Sequence, residues 1–223
     1  MPIVTSRLFT PAEAGAVSGL KLKAVHNAID KRIVGPALRK QAIVAHSKPV
    51  GRRLLTADDL VRLRVWRGVG DSLSAERRTR LFEKIEAEPS ARTVKADDLL
   101  IVDVAEARKQ VVRGVRELEA ADAMVVRDKA ILGGEPVFKG TRIPVYGVAA
   151  MVESGASPEE LLNGYPTLTA RMLDLARIWA SAHPRRGRPK SLGDQGLTIK
   201  STKRLSLKSD PLPRSAVARE SAG

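Results

Sequence analysis

Recurring helix-start signals constrain the fold of this chain more than any other feature. A serine, threonine or aspartate stands directly before an apolar helical period at Thr10, Thr56, Ser74, Asp103, Ser157 and Thr169. Such side chains accept hydrogen bonds from the free N–H groups of the first helical turn. After Thr10 and after Ser157 the next residue is proline, and a glutamate two residues later completes a capping box. The sequence therefore predicts a mainly α fold.

The core of such a fold must be built from aliphatic side chains, because aromatic residues make up only 3% of the chain. One predicted helix runs from Asp103 to about Ala121, and its inward positions are Val104, Ala107, Val111, Val115 and Leu118. Another runs from Thr169 through Ala182 and ends at His183-Pro184. Its inward positions are Leu173, Ala176 and Trp179.

Short strands are predicted between the helices. The segments AIVA and RRLL flank the turn-rich HSKPVG and indicate a β-hairpin, while Leu99 to Val102 and Met124 to Val126 each indicate a short strand. The expected fold class is mainly α with short β-hairpins, in two helix-turn-helix-type modules and a basic extended C-terminal tail. The modules span residues 1–90 and 91–183, and the tail spans residues 184–223.

The first module opens with a helix-turn-helix pattern. A helix that starts after Thr10 breaks at Ser18-Gly19, and a second helix covers about Lys21 to Lys31. Together with the hairpin and the following T-A-D-D-L, residues 8–88 resemble the winged helix-turn-helix of MerR-type regulators. In such a domain the second helix reads the major groove and basic residues of the hairpin contact phosphates. The predicted DNA-binding residues are Lys21, Lys23, His26, Asn27, Lys31, Arg32, Arg52 and Arg53.

Charge is unevenly distributed along the chain, whose formal net charge is +14. The net charge is +8 over residues 1–90, zero over 91–120, −1 over 121–183 and +7 over 184–223. Two basic ends therefore flank a neutral middle, which predicts two sites for polyanionic or acidic partners. For the first end, a protein-interaction domain with a solvated basic face is the alternative.

The stretch ILGGEPVFKGTRIPV, residues 131–145, concentrates glycines, prolines and a single arginine. A Walker phosphate loop does not fit, because five residues separate Gly134 from Gly140 and Lys139 comes before the second glycine. Pro144 also disfavours a helix start directly after that glycine. A tight Gly-Gly turn between short strands is predicted instead, with glycines at positive φ and prolines at its entry and exit.

The same stretch carries the pattern G-G-x-P-x-x-x-G-T-R-I-P-V, with S-P-E-E and Y-P-x-L-T behind it. This pattern resembles a module known as domain of unknown function 433. The resemblance implies a VapB-type antitoxin that binds its own operator and neutralises a PIN-type ribonuclease toxin. The sequence departs from it at Ala170-Arg171-Met172, where acidic residues are more usual. The signature residues are Gly134, Pro136, Gly140, Thr141, Arg142 and Pro144.

Arg142 has two possible roles within this signature. It can pair with a carboxylate such as Glu159 or Glu160 or with helix-end carbonyls, or it can contact nucleic acid directly. The neutral charge of residues 121–183 indicates that the second module serves mainly folding and dimerisation.

The basic tail contains two motifs. PRRGRPK, residues 184–190, resembles an AT-hook, whose Arg-Gly-Arg-Pro core lies in the narrow minor groove of A·T-rich DNA. TIKSTKRLSLK, residues 198–208, combines apolar and cationic side chains that suit the carboxylate-lined Mg²⁺ pocket of a PIN-type nuclease. A solvated tail without a partner is the third possibility. The predicted toxin-binding residues are Arg185, Arg186, Arg188, Lys200, Lys203, Arg204 and Lys208.

Catalysis, cofactors and membranes are not expected. The chain has no cysteine, and His26, His46 and His183 are scattered without a metal-ligand or nucleophile pattern. No apolar run approaches the ~18 residues of a membrane span, and the N-terminus lacks the apolar core of a signal peptide. We therefore expect a cytoplasmic protein that is not an enzyme and that holds no cofactor or metal.

Together these patterns predict the antitoxin of a type II toxin–antitoxin pair. Its winged module is expected to bind operator DNA as a homodimer, and its tail to bind a cognate PIN-type toxin within a larger toxin–antitoxin complex. The alternative is an autonomous MerR-like transcription regulator with an AT-hook-like tail and no toxin. A nuclease is a third reading, and metal-dependent RNA cleavage by the isolated chain is its test.

Overall fold

Eight helices and four short strands make up the part of the chain that the computed structural model describes, which is residues 7–31, 33–35, 53–70 and 72–185. All of these residues belong to one compact unit, Met1–Arg185. The prediction of a mainly α fold with short antiparallel β pairs is confirmed. The predicted hairpin around HSKPVG lies outside the described residues except for its last positions, and so does the tail beyond Arg185.

The order of elements alternates helices with two small sheets. The first helices are α1 (Pro11–Ser18), α2 (Leu22–Asp30), α3 (Ala57–Val69) and α4 (Ala75–Ala87). The pair β1 (Thr93–Lys95) and β2 (Ile101–Asp103) leads into the long helix α5 (Val104–Ala123). The pair β3 (Val125–Val126) and β4 (Val137–Phe138) encloses a 3-10 turn at Leu132–Gly134. The last helices are α6 (Val145–Glu153), α7 (Pro158–Gly164) and α8 (Ala170–Ala182). Among the helices described, none is both long and apolar enough to cross a membrane.

Local capping explains where these helices begin. Each of the six predicted N-cap side chains accepts a hydrogen bond from a backbone N–H of the first turn. At α1 both halves of the capping box form, because Glu13 N donates to Thr10 Oγ1 at 3.3 Å and Thr10 N donates to Glu13 Oε2 at 2.6 Å. Ser157 and Glu160 make the same reciprocal pair at α7. A cap of this kind stabilises a helix by about 1 kcal/mol.

The larger hydrophobic core surrounds α5. The side chains of this helix that were predicted to face inward are all buried: Val104, Ala107, Val111, Val115 and Leu118. Helices α1 and α3 pack against α5. Phe9 and Leu55, both fully buried, close the core next to them, and their backbones exchange hydrogen bonds of 2.9 and 2.8 Å. The segment before α1 is thereby tied to the segment before α3.

A second hydrophobic core lies among β4, α6, α7 and α8. Phe138 and Val145 are fully buried in it. The ring of Trp179 from α8 meets Tyr146 of α6 edge to face, with ring centroids 5.2 Å apart. Because α8 also packs against α1 and α5, this helix joins the second core to the first.

The first β pair differs from its prediction. The strand expected at Leu99 to Val102 begins only at Ile101. Leu99 is 98% exposed, because Asp97 Oδ1 accepts hydrogen bonds from the backbone N–H groups of Leu99 and Leu100 and bends the chain there. The partner strand β1 was not predicted, since three residues are too few to show a period-two pattern.

Candidate nucleic-acid interface

The turn between α1 and α2 fixes where the second helix starts. Gly19, directly after α1, has a φ of 73°, in the left-handed region that glycine enters without steric cost. The backbone N–H groups of Gly19 and Leu20 both bond to the carbonyl of Gly15, the latter at 2.9 Å. Lys21 then adopts an extended conformation before α2. The N-terminus of α2 is thus held close to the end of α1, while the helix-turn-helix assignment stays a prediction.

Helix α2 buries one side and exposes the other. The buried side chains are the three predicted to face inward, Val25, Ala28 and Ile29. Four predicted DNA-binding residues are exposed, and we call them the α2 surface: Lys21, Lys23, Asn27 and Lys31. The predicted residue His26 is only half-exposed. The lysines of the α2 surface form no ion pair with any described residue, so their charge is available to an external anion.

Of the three remaining predicted DNA-binding residues, the structure describes only Arg53. Arg53 is exposed, and its Nη1 pairs with Asp30 Oδ1 of α2 at 2.6 Å. This ion pair connects the chain entering α3 with the C-terminal end of α2. Arg32 and Arg52 lie outside the described residues.

A groove beside the α1–α2 turn brings together three arginines that the sequence had not indicated as site residues. Arg64 and Arg67 come from α3, and Arg113 comes from α5. The groove has a volume of about 250 Å³, and we call it the arginine groove. The glycines Gly19 and Gly114 also line it, together with Gln110 and Glu117.

The arginine groove holds its guanidinium groups close to one another. Arg64 Nη1 and Arg67 Nη1 donate to the same acceptor, the carbonyl oxygen of Ser18, at 3.3 and 3.5 Å. Arg64 Nε also donates to Gln110 Oε1. Burial lowers the pKa of Arg64, the positive charges of Arg67 and Arg113 lower it further, and the carboxylate of Glu106 partly offsets them. Positive charge is therefore concentrated at this point of the surface.

The signature stretch forms the predicted tight turns between short strands. Gly134 and Gly140 have φ values of 90° and 78°, which explains why glycine is suited to both positions. Pro136 is buried beside β4. The backbone around Pro144 pairs with Val137 as an isolated antiparallel bridge. These signature residues serve the backbone conformation and do not converge on a phosphate-binding cradle.

Thr141 and Arg142 have different roles in the second turn. Thr141 closes it, because its Oγ1 donates to the Phe138 carbonyl at 2.9 Å and accepts from Ile143 N at 3.1 Å. Arg142 is exposed and forms no ion pair within the described part of the chain. The expected pairing with Glu160 is not made, since that carboxylate bonds to Ser157 N in the capping box of α7. Of the two roles considered for Arg142, contact with an external group stays open.

The last described residue of the tail is attached to the second core. Arg185, a predicted toxin-binding residue, pairs with Glu135 and lies over the Tyr146 ring, 4.6 Å from its centroid. The Tyr146 hydroxyl donates to the carbonyl of His183. Arg186, Arg188, Lys200, Lys203, Arg204 and Lys208 lie outside the described residues.

A second set of contacts connects the same region to α1. His183 Nε2 lies 2.8 Å from Asp122 Oδ1 at the end of α5. Arg7 bonds to Asp122 at 3.3 Å and to Glu13 of α1 at 2.9 Å. Burial disfavours the charged form of Arg7, but the hydrogen bonds and charges of Glu13 and Asp122 outweigh it, so the net effect raises its pKa. Within the described residues no group of histidines and carboxylates is arranged to hold a metal ion.

Comparison with known proteins places the second core in a defined family. A family model described as "Protein of unknown function (DUF433)" matches residues 125–180. The resemblance to this module is therefore confirmed, whereas the likeness to VapB and to MerR-type regulators stays a prediction.

Two whole-chain similarities accompany this match. The uncharacterized protein y4eO of Sinorhizobium fredii (strain NBRC 101917 / NGR234) is 32% identical, over 92% of this chain and 95% of its own length. The crystal structure of Rv2018 from Mycobacterium tuberculosis aligns with 80% of this chain and 99% of its own, at 16% identity and a TM-score of 0.29. That TM-score is too low to indicate a shared fold.

Proposed function

This chain belongs to the same family as the uncharacterized protein y4eO, and on that premise we propose that it is a DNA-binding antitoxin of a type II toxin–antitoxin pair. The proposal has two parts. The N-terminal helices bind operator DNA for autoregulation, and the basic tail neutralises a PIN-type ribonuclease toxin. The second core, which carries the DUF433 match, serves dimerisation and orients the first.

The observation that carries the first part is the unpaired positive charge of the α2 surface. Lys21, Lys23 and Lys31 are exposed next to Asn27 on a helix whose opposite side is buried. An α-helix fits the major groove, where asparagine can bond adenine in a bidentate manner and lysine can reach guanine or phosphate. The net charge of +8 over residues 1–90 favours a polyanionic partner over a neutral one.

The second part is supported by the sequence of the tail and by the family resemblance. Residues 184–223 carry a net charge of +7, which suits the carboxylates that hold Mg²⁺ in a PIN-type nuclease. A lysine or arginine that enters such a pocket pairs with those carboxylates and displaces the metal. The point where the tail leaves the second core is fixed by the contacts of Arg185 with Glu135 and Tyr146.

DNA binding is tested with the full chain and a duplex taken from directly upstream of its own gene. We expect binding that weakens steeply with salt, and Asn27→Ala should reduce the preference for this duplex over a scrambled one. A lysine variant, Lys23→Gln, should weaken both duplexes equally, because phosphate contacts carry no sequence information. Equal affinity of the wild type for both duplexes would show that it does not recognise its own operator.

Toxin binding is tested by co-expression with the product of the adjacent reading frame. The full chain should co-purify with it and suppress its ribonuclease action, and deletion of residues 184–223 should abolish both effects while most duplex affinity remains. Two tail variants compare the contributions of segments 198–208 and 184–190 to toxin binding. Glutamine at Lys200, Lys203, Arg204 and Lys208 should release the toxin, and glutamine at Arg185, Arg186 and Arg188 should weaken its binding while duplex affinity is largely kept.

The rival function is an autonomous regulator, which the AT-hook-like segment 184–190 favours. In that case no toxin co-purifies, and the variant with glutamine at Arg185, Arg186 and Arg188 loses affinity chiefly for A·T-rich DNA. The two functions therefore predict different losses for the arginine variant: weaker toxin binding under the first function and weaker binding of A·T-rich DNA under the second.

A further inference from the structure

Three guanidinium groups and a single carboxylate line the arginine groove. Among the described residues, no carboxylate forms an ion pair with Arg64, Arg67 or Arg113. Glu117 lines the groove without pairing with any of them. Glu106 is bonded through Gln110, whose Nε2 donates to it at 3.0 Å. Like charges held together in this way destabilise the free protein, and an anion bound between them relieves the repulsion.

The neighbouring cavity has a different lining. It has a volume of about 370 Å³ and shares Arg64 and Arg67, but Asp103 and Glu106 also line it, and Glu106 attracts Arg64 electrostatically. The side of the groove that Arg113 and the α1–α2 turn complete is lined by three guanidinium groups and by one carboxylate, that of Glu117.

The groove is also organised before any ligand arrives. The Ser18 carbonyl, at the negative C-terminal end of α1, accepts from both Arg64 and Arg67 and fixes their side chains. Gly19 and Gly114 add no side chains of their own to the lining. A guanidinium group is planar and can donate two parallel hydrogen bonds to the oxygens of one phosphate. A phosphate group therefore suits the lining of the arginine groove.

The position of the groove identifies the source of that phosphate. Gly19 lines the groove, and Lys21, which precedes α2, is two residues further along the chain. In a helix-turn-helix complex the first helix crosses the sugar–phosphate backbone of the duplex that the second helix reads. The end of α1 lines the arginine groove at Ala16 and Val17. We infer that the arginine groove binds a backbone phosphate of this duplex and thereby fixes the register of α2 in the major groove. This inference rests on the proposed DNA binding.

The test removes two charges from the groove and leaves in place the bonds of Arg64 to Ser18 and Gln110. Arg67 and Arg113 are exposed, whereas Arg64 is retained because it joins α1, α3 and α5 through Ser18 and Gln110. The double variant Arg67→Gln/Arg113→Gln is compared with Arg92→Gln/Arg171→Gln. The control loses the same charge from two exposed arginines that form no ion pair among the described residues.

Affinity of the full chain is measured against salt concentration, with the upstream duplex and with a scrambled duplex of equal length. Each lost phosphate contact lowers the slope of log K against log salt by about 0.9. Since one phosphate contact is lost, we expect the slope of the groove variant to be about 0.9 smaller in magnitude than that of the wild type, and its affinity for both duplexes to be about tenfold weaker. The control should keep the wild-type slope. Because phosphates carry no sequence information, the ratio between the two duplexes should not change.

Thermal unfolding supplies a readout that does not depend on DNA. Removal of mutually repelling charges should leave the melting temperature of the groove variant equal to or above that of the wild type at low salt. Inorganic phosphate at millimolar concentration should raise the wild-type melting temperature more than that of the groove variant.

Three results would overturn the inference. A wild-type slope in the groove variant shows that the groove does not contact the duplex, while DNA binding itself stands. If inorganic phosphate stabilises the wild type but the slope is unchanged, the site takes free phosphate and not a duplex. If the wild type binds neither duplex, the DNA-binding part of the proposed function fails together with the groove.

Discussion

Replacement of Gly15 by alanine should destabilise the protein even though alanine is the better helix former. Alanine is favoured over glycine by about 1 kcal/mol inside a helix. At Gly15, however, the added Cβ would lie 2.8 Å from the carbonyl oxygen of Leu20 and 3.6 Å from Cγ2 of Val25. The Leu20 backbone cannot move away freely, because its N–H bonds to the carbonyl of Gly15 at 2.9 Å. Overpacking of this kind costs about 1–3 kcal/mol.

The matched control is Gly68→Ala, in α3. Apart from the adjoining residues and the backbone of the same helix, no described atom lies within 4 Å of the Cβ that this substitution adds, so only the propensity gain of up to about 1 kcal/mol applies. The unfolding free energies of the two variants should therefore differ by about 1–3 kcal/mol. For a chain of this size each kcal/mol corresponds to about 2–4 °C in melting temperature. Far-UV circular dichroism melts measure the difference, and a Gly15→Ala protein as stable as Gly68→Ala would show that the α1–α2 turn is not tightly packed.

Three further substitutions test the fold. Burial raises the pKa of Asp59 above its ordinary value of 3.8, so the folded state favours the protonated form and the unfolding free energy falls as pH rises through that raised pKa. Urea unfolding from about pH 4 to 7 should therefore show that the unfolding free energy of Asp59→Asn rises relative to that of the wild type as pH rises. A difference in unfolding free energy that does not change with pH would contradict this. Arg7→Met should lower the unfolding free energy by about 1 kcal/mol, because the partly exposed ion pairs of Arg7 with Glu13 and Asp122 are lost. The loss should be smaller at high salt, and thermal melts at two salt concentrations measure it. A loss that does not depend on salt would show that Arg7 stabilises the fold through packing instead. Leu118→Ala, at a fully buried position of α5, should cost about 2–5 kcal/mol in urea unfolding, and a smaller cost would mean that the core collapses around the gap.

Helix starts and inward faces could be predicted from the sequence because both are local properties. Thr10 and Ser157 find their partners within three residues, so the capping box is visible in the sequence and appears unchanged in the structure. The apolar period of α5 repeats along the whole helix, so the sequence identifies which of its side chains are buried. The same reasoning placed Lys21 and Asn27 on the exposed side of α2.

The arginine groove could not be predicted, because it depends on contacts between distant segments. Arg64 and Arg67 are one helical turn apart, and that spacing alone indicates only a solvated basic face. Arg113 joins them because α5 packs against α3 and α1. The turn at Asp97 was missed for a different reason, since one aspartate side chain fixes it through bonds to Leu99 N and Leu100 N.

If the chain has the proposed function, the contacts around Asp122 supply a physical route from the root of the tail to the DNA-binding helices. Asp122 contacts His183, next to the root of the tail, and also Arg7, which in turn holds Glu13 at the start of α1. Under the proposed function, a toxin that pulls on the tail acts first on His183, which is three contacts from α1: His183 with Asp122, Asp122 with Arg7, and Arg7 with Glu13. Since the end of α1 fixes the α1–α2 turn, we expect toxin binding to change the affinity of α2 for its operator.

The Arg7→Met variant distinguishes this route from simple crowding by the toxin. If coupling runs through Asp122, the variant should bind the duplex as the wild type does, but its affinity should respond less to added toxin. By reciprocity, duplex DNA should then also change toxin affinity less in the variant than in the wild type. An unaltered response in Arg7→Met would mean that the two partners influence each other by another route, such as a dimer contact or direct steric overlap.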